Sequence, residues 1–365
     1  MSQIWPEWLP LREDLRSLSP YGAPQLDSLV RLNTNENPYP PSPGLIKAIT
    51  ERIGEVSTSL NRYPDRDALQ LRAGLATFLN ERSHLALKAE QIWAANGSNE
   101  IIQSLFLAFG KGTALGFTPS YSMHPLIAKV TGTPWVSGLR REDFSIDITL
   151  ASAQIKSEKP ELIFLTTPNN PTGTSISLSE ISSLTQAARE VGGLMVVDEA
   201  YAEFSTEPSA ITLLAQFPNL VVIRTMSKAF AFAGVRLGYL ASDPAVVDSI
   251  QLVRLPYHLS TLTQAVALVA LDFRVELLES VATLIKAREA LILGLESLGA
   301  RVIPSSANFL LFTVPSSQKV WQSLLDQGVL VRDVGLPGYL RVTIGTEEEN
   351  KRFLNALSKS LGGSK

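Results

Sequence analysis

Short apolar runs, each followed by a stretch of helical spacing, dominate the middle of the chain. Residues 162–167 (LIFLTT) have strand length and close on the turn Pro168-Asn169-Asn170-Pro171-Thr172-Gly173. Ser177 and Glu180 then form a capping box that predicts a helix start. Further strands are expected at 194–197 (LMVV), 220–224 (LVVIR) and 237–240 (LGYL). Wholly apolar strands alternating with helices predict an α/β fold with a mostly parallel sheet covered on both faces. From 261 to 298 a helical pattern runs with few breaks, longer than an ordinary globular helix. It reads as two helices, or as one bent helix crossing between domains. Beyond it, NFLLF at 308–312, a helix near 316–327, VLVR at 329–332, YLRVTI at 339–344 and a helix after 346 read as a smaller α+β unit. Residues 1–44 are proline-rich and irregular, with a polar cluster from Asn33 to Asn37, and read as an arm packed on a larger body. The expected division is an arm at 1–44, a large domain at 45–265 and a small domain at 266–365. No internal repeat is evident.

Composition narrows the function. The chain has 365 residues, 45% apolar and 18% charged, enough for a large core and too apolar for disorder. A net charge of -3 and a pI near 5.8 argue against a nucleic-acid partner. With no cysteine, disulfides, thiol catalysis and thiolate metal sites are excluded. The three histidines, His84, His124 and His258, lie far apart in sequence, so a histidine-rich metal site is not expected. No apolar run reaches the length of a membrane span. The first twenty residues carry proline and charge where a signal peptide needs an apolar run, so a cytoplasmic protein is expected.

The candidate chemistry lies where strands end. In open parallel sheets, ligands bind outside the carboxyl ends of the strands. The strand at 162–167 delivers Asn169 and Asn170. That at 194–197 delivers Asp198, Glu199, Ala200 and Tyr201. That at 220–224 delivers Thr225, Ser227 and Lys228. An amide, a carboxylate, a phenol and an amine thus share one edge. A lysine there can form a Schiff base if an aldehyde partner and a tuned site exist. Pyridoxal phosphate supplies that aldehyde. Its ring nitrogen needs a carboxylate, for which Asp198 fits. Its phenolate oxygen needs neutral donors, for which Tyr201 and Asn170 fit. Its phosphate needs a cation and amides or hydroxyls: Arg236 lies eight residues past Lys228, and Ser98 and Asn99 open a helix after Gly97. Tyr121, in TPSYSMH, could stack on the ring. Taken singly, each piece has a plain reading as a turn, a strand end or an ordinary helix cap. Their co-occurrence at one sheet edge favours function. GKGTALG at 110–116 has the wrong spacing for a dinucleotide fingerprint and lacks the phosphate-loop lysine.

At this point the residues resemble a known family. GSNE, TPNNPTG, VVDEAY, TMSKAFAFAGVRLGY and LRVTIGT look like the class I/II aminotransferases of fold-type I, which use pyridoxal 5'-phosphate. The likeness covers nearly the whole chain. Within the class, SPYGAPQLD, RLNTNENPYPPSP, RYPD, VRLPYHLS and VLVRDVGLPGYLRVTIGT are similar to the histidinol-phosphate aminotransferase subgroup. The resemblance implies a seven-stranded-type sheet in the large domain. It implies Lys228, Asp198 and Tyr201 as catalytic, with Asn170 beside Tyr201 at the phenolate oxygen. Ser98, Asn99, Thr225, Ser227 and Arg236 would surround the cofactor phosphate. Tyr63, in RYPD, would reach that phosphate from the neighbouring subunit, which implies a homodimer with shared sites. Arg341 matches the carboxylate-binding arginine of the class. Tyr21, Asn37, Asn170 and Arg332 are the further substrate-side candidates. The stretch between Arg332 and Arg341 is shorter than in many family members, which leaves the anion-binding set there open. The implied reaction is transamination between L-histidinol phosphate and 2-oxoglutarate, a step of histidine biosynthesis. The rival readings are an aromatic or broad-specificity aminotransferase, a phosphothreonine decarboxylase of the same fold, and a non-catalytic regulator on the same scaffold.

Overall fold

A computed structural model describes residues 5–20 and 22–362. The arm contributes strand β1 (Val30–Arg31). Two helices follow, α1 (Pro43–Ser57) and α2 (Leu69–Ser83). The middle of the chain alternates β2 (Ile92–Ala95), α3 (Ser98–Phe109), β3 (Ala114–Thr118), α4 (Met123–Thr131), β4 (Trp135–Leu139), α5 (Ile148–Glu158), β5 (Leu162–Thr166), α6 (Leu178–Glu190), β6 (Leu194–Asp198), β7 (Leu220–Thr225), β8 (Gly238–Ser242) and α7 (Pro244–Gln251). Then come α8 (Thr261–Asp272), α9 (Arg274–Ser297), β9 (Phe309–Thr313), α10 (Ser317–Asp326), β10 (Val329–Leu330), β11 (Tyr339–Thr343) and α11 (Glu347–Gly362).

Seven strands form one sheet in the order β2-β8-β7-β6-β5-β3-β4. Strands β3 to β7 run parallel to one another, and β8 runs against both of its neighbours, β7 and β2. Every residue of β5 and β7 is buried, because helices cover both faces and leave no solvated side to alternate toward. Successive residues feed opposite layers. Ile163, Leu165 and Val197 join one core cluster, while Leu162, Phe164 and Val196 join the other. Helix starts follow their sequence signals. Ser177 and Glu180 make the capping box of α6, and Ser42 caps α1 with Pro43 in its first turn.

The long helical pattern after residue 261 resolves into two helices interrupted at Phe273. The final third builds a separate antiparallel pair, β9 with β11. The arm is anchored there: β1 pairs in parallel with β10, and Thr343 N donates to the Leu32 carbonyl at 2.9 Å. This anchoring carries Asn33 to Asn37 over the edge where β5, β6 and β7 end. Among the described residues, no helix is long and apolar enough to cross a membrane.

Candidate active site

Register sets the geometry. Thr166 pairs with Asp198, and Asp198 with Ile223, so β5, β6 and β7 end nearly level. A cavity of about 870 Å³ opens at that edge, a size suited to a cofactor and a small substrate. Asn170, Asp198, Tyr201, Thr225, Ser227 and Lys228 line it from the strand ends. Ser98 and Asn99 line it from the start of α3, Tyr121 and Arg236 from neighbouring turns, and Arg341 from β11 with Arg332 bridged to it.

The Lys228 amine donates to the Thr34 carbonyl at 2.9 Å. Burial pushes its pKa down to about 8, the Arg341 and Arg236 cations press the same way, and Glu36 opposes them. The Asp198 side chain is almost fully buried. It lies 3.3 Å from His124 Nε2 and accepts from the Ala200 amide at 3.2 Å. His124 stacks on Phe164 with ring centroids 4.7 Å apart, which fixes its plane. The Tyr201 hydroxyl accepts from Asn35 Nδ2 at 2.9 Å. Asn35 is held in turn by Thr343 and Asn308. It has φ 56°, a left-handed conformation that asparagine tolerates better than most residues.

At the other end of the cavity, α3 begins at Ser98 with no side-chain cap, so its first amides face outward. Arg236 stands beside them. A Cβ on Gly97 would come within 2.7 Å of Arg236 Nη2, and one on Gly238 within 2.4 Å of the Ser98 nitrogen. Only glycine at both positions lets a guanidinium, a helix start and a strand converge this closely. Thr225 Oγ1 donates to Ser227 Oγ at 3.0 Å. Amides, hydroxyls and a cation form a cradle suited to a phosphate.

Arg332 and Arg341 exchange backbone hydrogen bonds, both at 2.9 Å. Residues directly opposite in such a pair project to the same side. Two guanidinium groups side by side repel each other unless an anion lies between or above them. Arg341 is further positioned by Asn170 Oδ1, by the Asn33 carbonyl at 2.8 Å and by the Phe309 ring.

Of the remaining expected residues, two do not line this cavity and a third is outside the described residues. Tyr63 does not line the cavity; it is 79% exposed and stacked on Tyr257 at 4.3 Å. Asn37 is not in the wall either. Its amide donates to Ser280 Oγ at 3.1 Å and to the Ala229 carbonyl, tying the arm to α9. Tyr21 lies outside the described residues. The Tyr121 hydroxyl donates to Asn99 Oδ1 at 3.1 Å, bridging two wall residues. The structure adds His124 and Asn35, which the strand-end reasoning does not reach. The place of His124 in the first turn of α4, three residues past Tyr121, was the available sign of the first.

A lysine amine with lowered basicity, a buried carboxylate, a phosphate cradle and an arginine pair, gathered at the carboxyl edge of this sheet, define an aminotransferase site. The chain belongs to the aminotransferase class I and II family, whose sequence signature matches residues 27–357. Among its relatives, it is 56% identical to the histidinol-phosphate aminotransferase of Thermobifida fusca over 359 residues, 97% of this chain and 96% of that one. It is 54% identical to the histidinol-phosphate aminotransferase of Mycobacterium sp. (strain KMS), covering 96% of this chain and 94% of that one. The crystal structure of the Clostridium acetobutylicum histidinol-phosphate aminotransferase superposes with a TM-score of 0.82 at 26% identity, covering 92% of this chain and all of the other. That of the Sinorhizobium meliloti histidinol-phosphate aminotransferase, in complex with pyridoxal-5'-phosphate, gives 0.85 at 22% identity, covering 97% and 98%, and shares the fold.

Proposed function

We propose that this aminotransferase moves the amino group of L-histidinol phosphate to 2-oxoglutarate, giving imidazole acetol phosphate and glutamate in histidine biosynthesis, with pyridoxal 5'-phosphate as its cofactor. The observation that carries this reading is the Arg332–Arg341 pair in the same cavity as the Lys228 amine. One site must grip a phosphate monoester in one half-reaction and a dicarboxylate in the other, and a planar guanidinium binds either in bidentate fashion. Relatives of this name at 54–56% identity over nearly the whole chain support the substrate assignment.

When bound, the cofactor supplies an aldehyde that captures amines and a protonated ring that accepts the electron pair of a breaking C–H bond. Asp198, held by His124 and the Ala200 amide, would keep the proton on the ring nitrogen. Lys228 would anchor the cofactor, and once released its amine would move a proton between the substrate carbon and the cofactor C4' carbon. Tyr201 and Asn170 would orient the phenolic oxygen. Ser98, Asn99, Thr225, Ser227 and Arg236 would hold the phosphate, with Tyr121 over the ring.

The same proposal includes a cytoplasmic homodimer built from an arm (1–44), a large domain (45–265) and a small domain (266–365). Tyr63 would serve the neighbour's phosphate cradle, which its exposure and its absence from the wall of its own cavity support. The deciding experiment titrates the cofactor-loaded enzyme with L-histidinol phosphate and follows the visible cofactor band. Loss of the band, restored by 2-oxoglutarate, is expected. A band that responds to phenylalanine alone, or carbon dioxide release from phosphothreonine, would overturn the substrate assignment.

A further inference from the structure

The cavity wall carries a carboxylate that the reaction above does not use. Its cations are Lys228, Arg236, Arg332 and Arg341; its carboxylates are Asp198, Asp333 and Glu36. Asp198 is engaged by His124 and a backbone amide. Asp333 Oδ1 accepts from the Gly335 amide at 2.9 Å and so shapes its own turn. Glu36 differs. Its residue is exposed, and the one hydrogen bond to its carboxylate among the described residues comes from Thr34 Oγ1, at 2.9 Å to Oε2. Thr34 also offers its carbonyl to the Lys228 amine, so one residue touches both groups. The Glu36 charge is felt at that amine, which it draws toward the protonated form. The carboxylate therefore belongs to the surroundings of the Lys228 amine.

We propose that Glu36 determines specificity for the heterocycle of the donor: its carboxylate accepts the imidazole N–H while the arginine pair holds the phosphate. This deepens the substrate reading above and rests on it. Imidazole presents an N–H donor in its neutral form and two in its charged form. A phenyl ring presents none, and its binding would strip solvent from the carboxylate without replacing the lost hydrogen bonds. A site built to pair with a donor discriminates against the analogue lacking it more strongly than an apolar pocket can. The charge also acts on the second substrate. A dicarboxylate is repelled from the Glu36 side and is directed to Arg332 and Arg341, so one residue helps the same cavity distinguish its two partners.

The test compares cofactor-loaded wild type, Glu36→Gln and Glu36→Ala. Each is assayed with L-histidinol phosphate and with L-phenylalaninol phosphate, which keeps the amine and the phosphate but has no ring donor. The measured quantity is the ratio of kcat/KM for the two donors. It is expected to fall about ten- to hundredfold in Glu36→Ala, with an intermediate value in Glu36→Gln, whose neutral amide oxygen still accepts a hydrogen bond. The KM for 2-oxoglutarate should stay level or fall in Glu36→Ala. If the donor ratio in Glu36→Ala equals that of wild type, whatever the absolute rates, the assignment of Glu36 is wrong while the substrate reading stands. A wild-type enzyme that does not turn over histidinol phosphate overturns both. A rise of about tenfold in the 2-oxoglutarate KM in Glu36→Ala also counts against the proposal, because it makes the carboxylate an aid to acceptor binding.

Discussion

Lys228 is prepared for chemistry by where it sits. A lysine of ordinary basicity is neutral in about one molecule in three thousand at pH 7, whereas one titrating near 8 is neutral in about one in ten. That gain has a cost in the cofactor-free protein, because the folded state resists a proton that the unfolded chain accepts. Between pH 8 and the ordinary lysine value the unfolded state holds the extra proton, so stability rises with pH across that window. Since the side chain is partly solvated, the effect is on the order of 2 kcal/mol. Lys228→Met removes the charge. Thermal melts of the cofactor-free proteins should favour the methionine variant at pH 7, with the gap shrinking by pH 10; a constant gap would contradict this origin. In the proposed machinery Asp198 would hold the ring nitrogen of the bound cofactor. Asp198→Ala is expected to lower kcat about a hundredfold or more, measured in the histidinol phosphate half-reaction. A near-normal rate would remove Asp198 from the proposed machinery.

Elements bring these residues together, and here the sequence was informative in some places and silent in others. Asp198, Thr225 and Lys228 could be placed because each closely follows a run of apolar residues buried on both faces. The strands β5, β6, β7 and β8 were legible for the same reason. β2, β3 and β4 were not. β2 is short and half alanine, β4 is an edge strand with serine and glycine, and β3 begins inside the glycine-interrupted GKGTALG stretch. The Asp198–His124 contact joins residues 74 apart, and Asn35 reaches Tyr201 across 166. Such contacts follow from sheet order and arm docking, which no local pattern encodes. Close approach of elements is equally invisible until the backbone is seen. Gly238 on β8 has the start of α3 against it: a methyl group added there would stand 2.5 Å from the Gly97 carbonyl carbon. Gly238→Ala must therefore push a strand away from a helix start, because the atoms it meets belong to the backbone. It should weaken cofactor binding at least about tenfold and lower Tm by several degrees. Gly234→Ala is the control, since a Cβ there meets nothing within 4 Å. Equal effects of the two would mean that the cradle does not depend on that approach.

At the scale of the molecule, the remaining issue is what covers the surface around Tyr63. The Tyr63–Tyr257 stack is flanked in sequence by exposed leucines, Leu60 on one side and Leu252 and Leu255 on the other, the last two at 85% and 73% exposure. Exposed apolar groups that lie together mark interaction surfaces. A two-fold dimer would bury the patch against its own copy and could bring Tyr63 to the neighbour's phosphate cradle. Subunit mixing separates that arrangement from one in which Tyr63 serves its own chain. One parent carries Lys228→Ala and the other Tyr63→Ala, and each alone should be nearly inactive. If sites are shared, a hybrid has one site with both lesions and one site with neither. Random one-to-one mixing makes half the dimers hybrids with half their sites intact, so activity should recover to about a quarter of wild type. If Tyr63 acts within its own chain, every site in the hybrid keeps one lesion and nothing is recovered. The measurement is activity after co-refolding or co-expression, with size-exclusion chromatography confirming the dimer; activity no higher than the parents in a verified hybrid would place Tyr63 outside the neighbour's site.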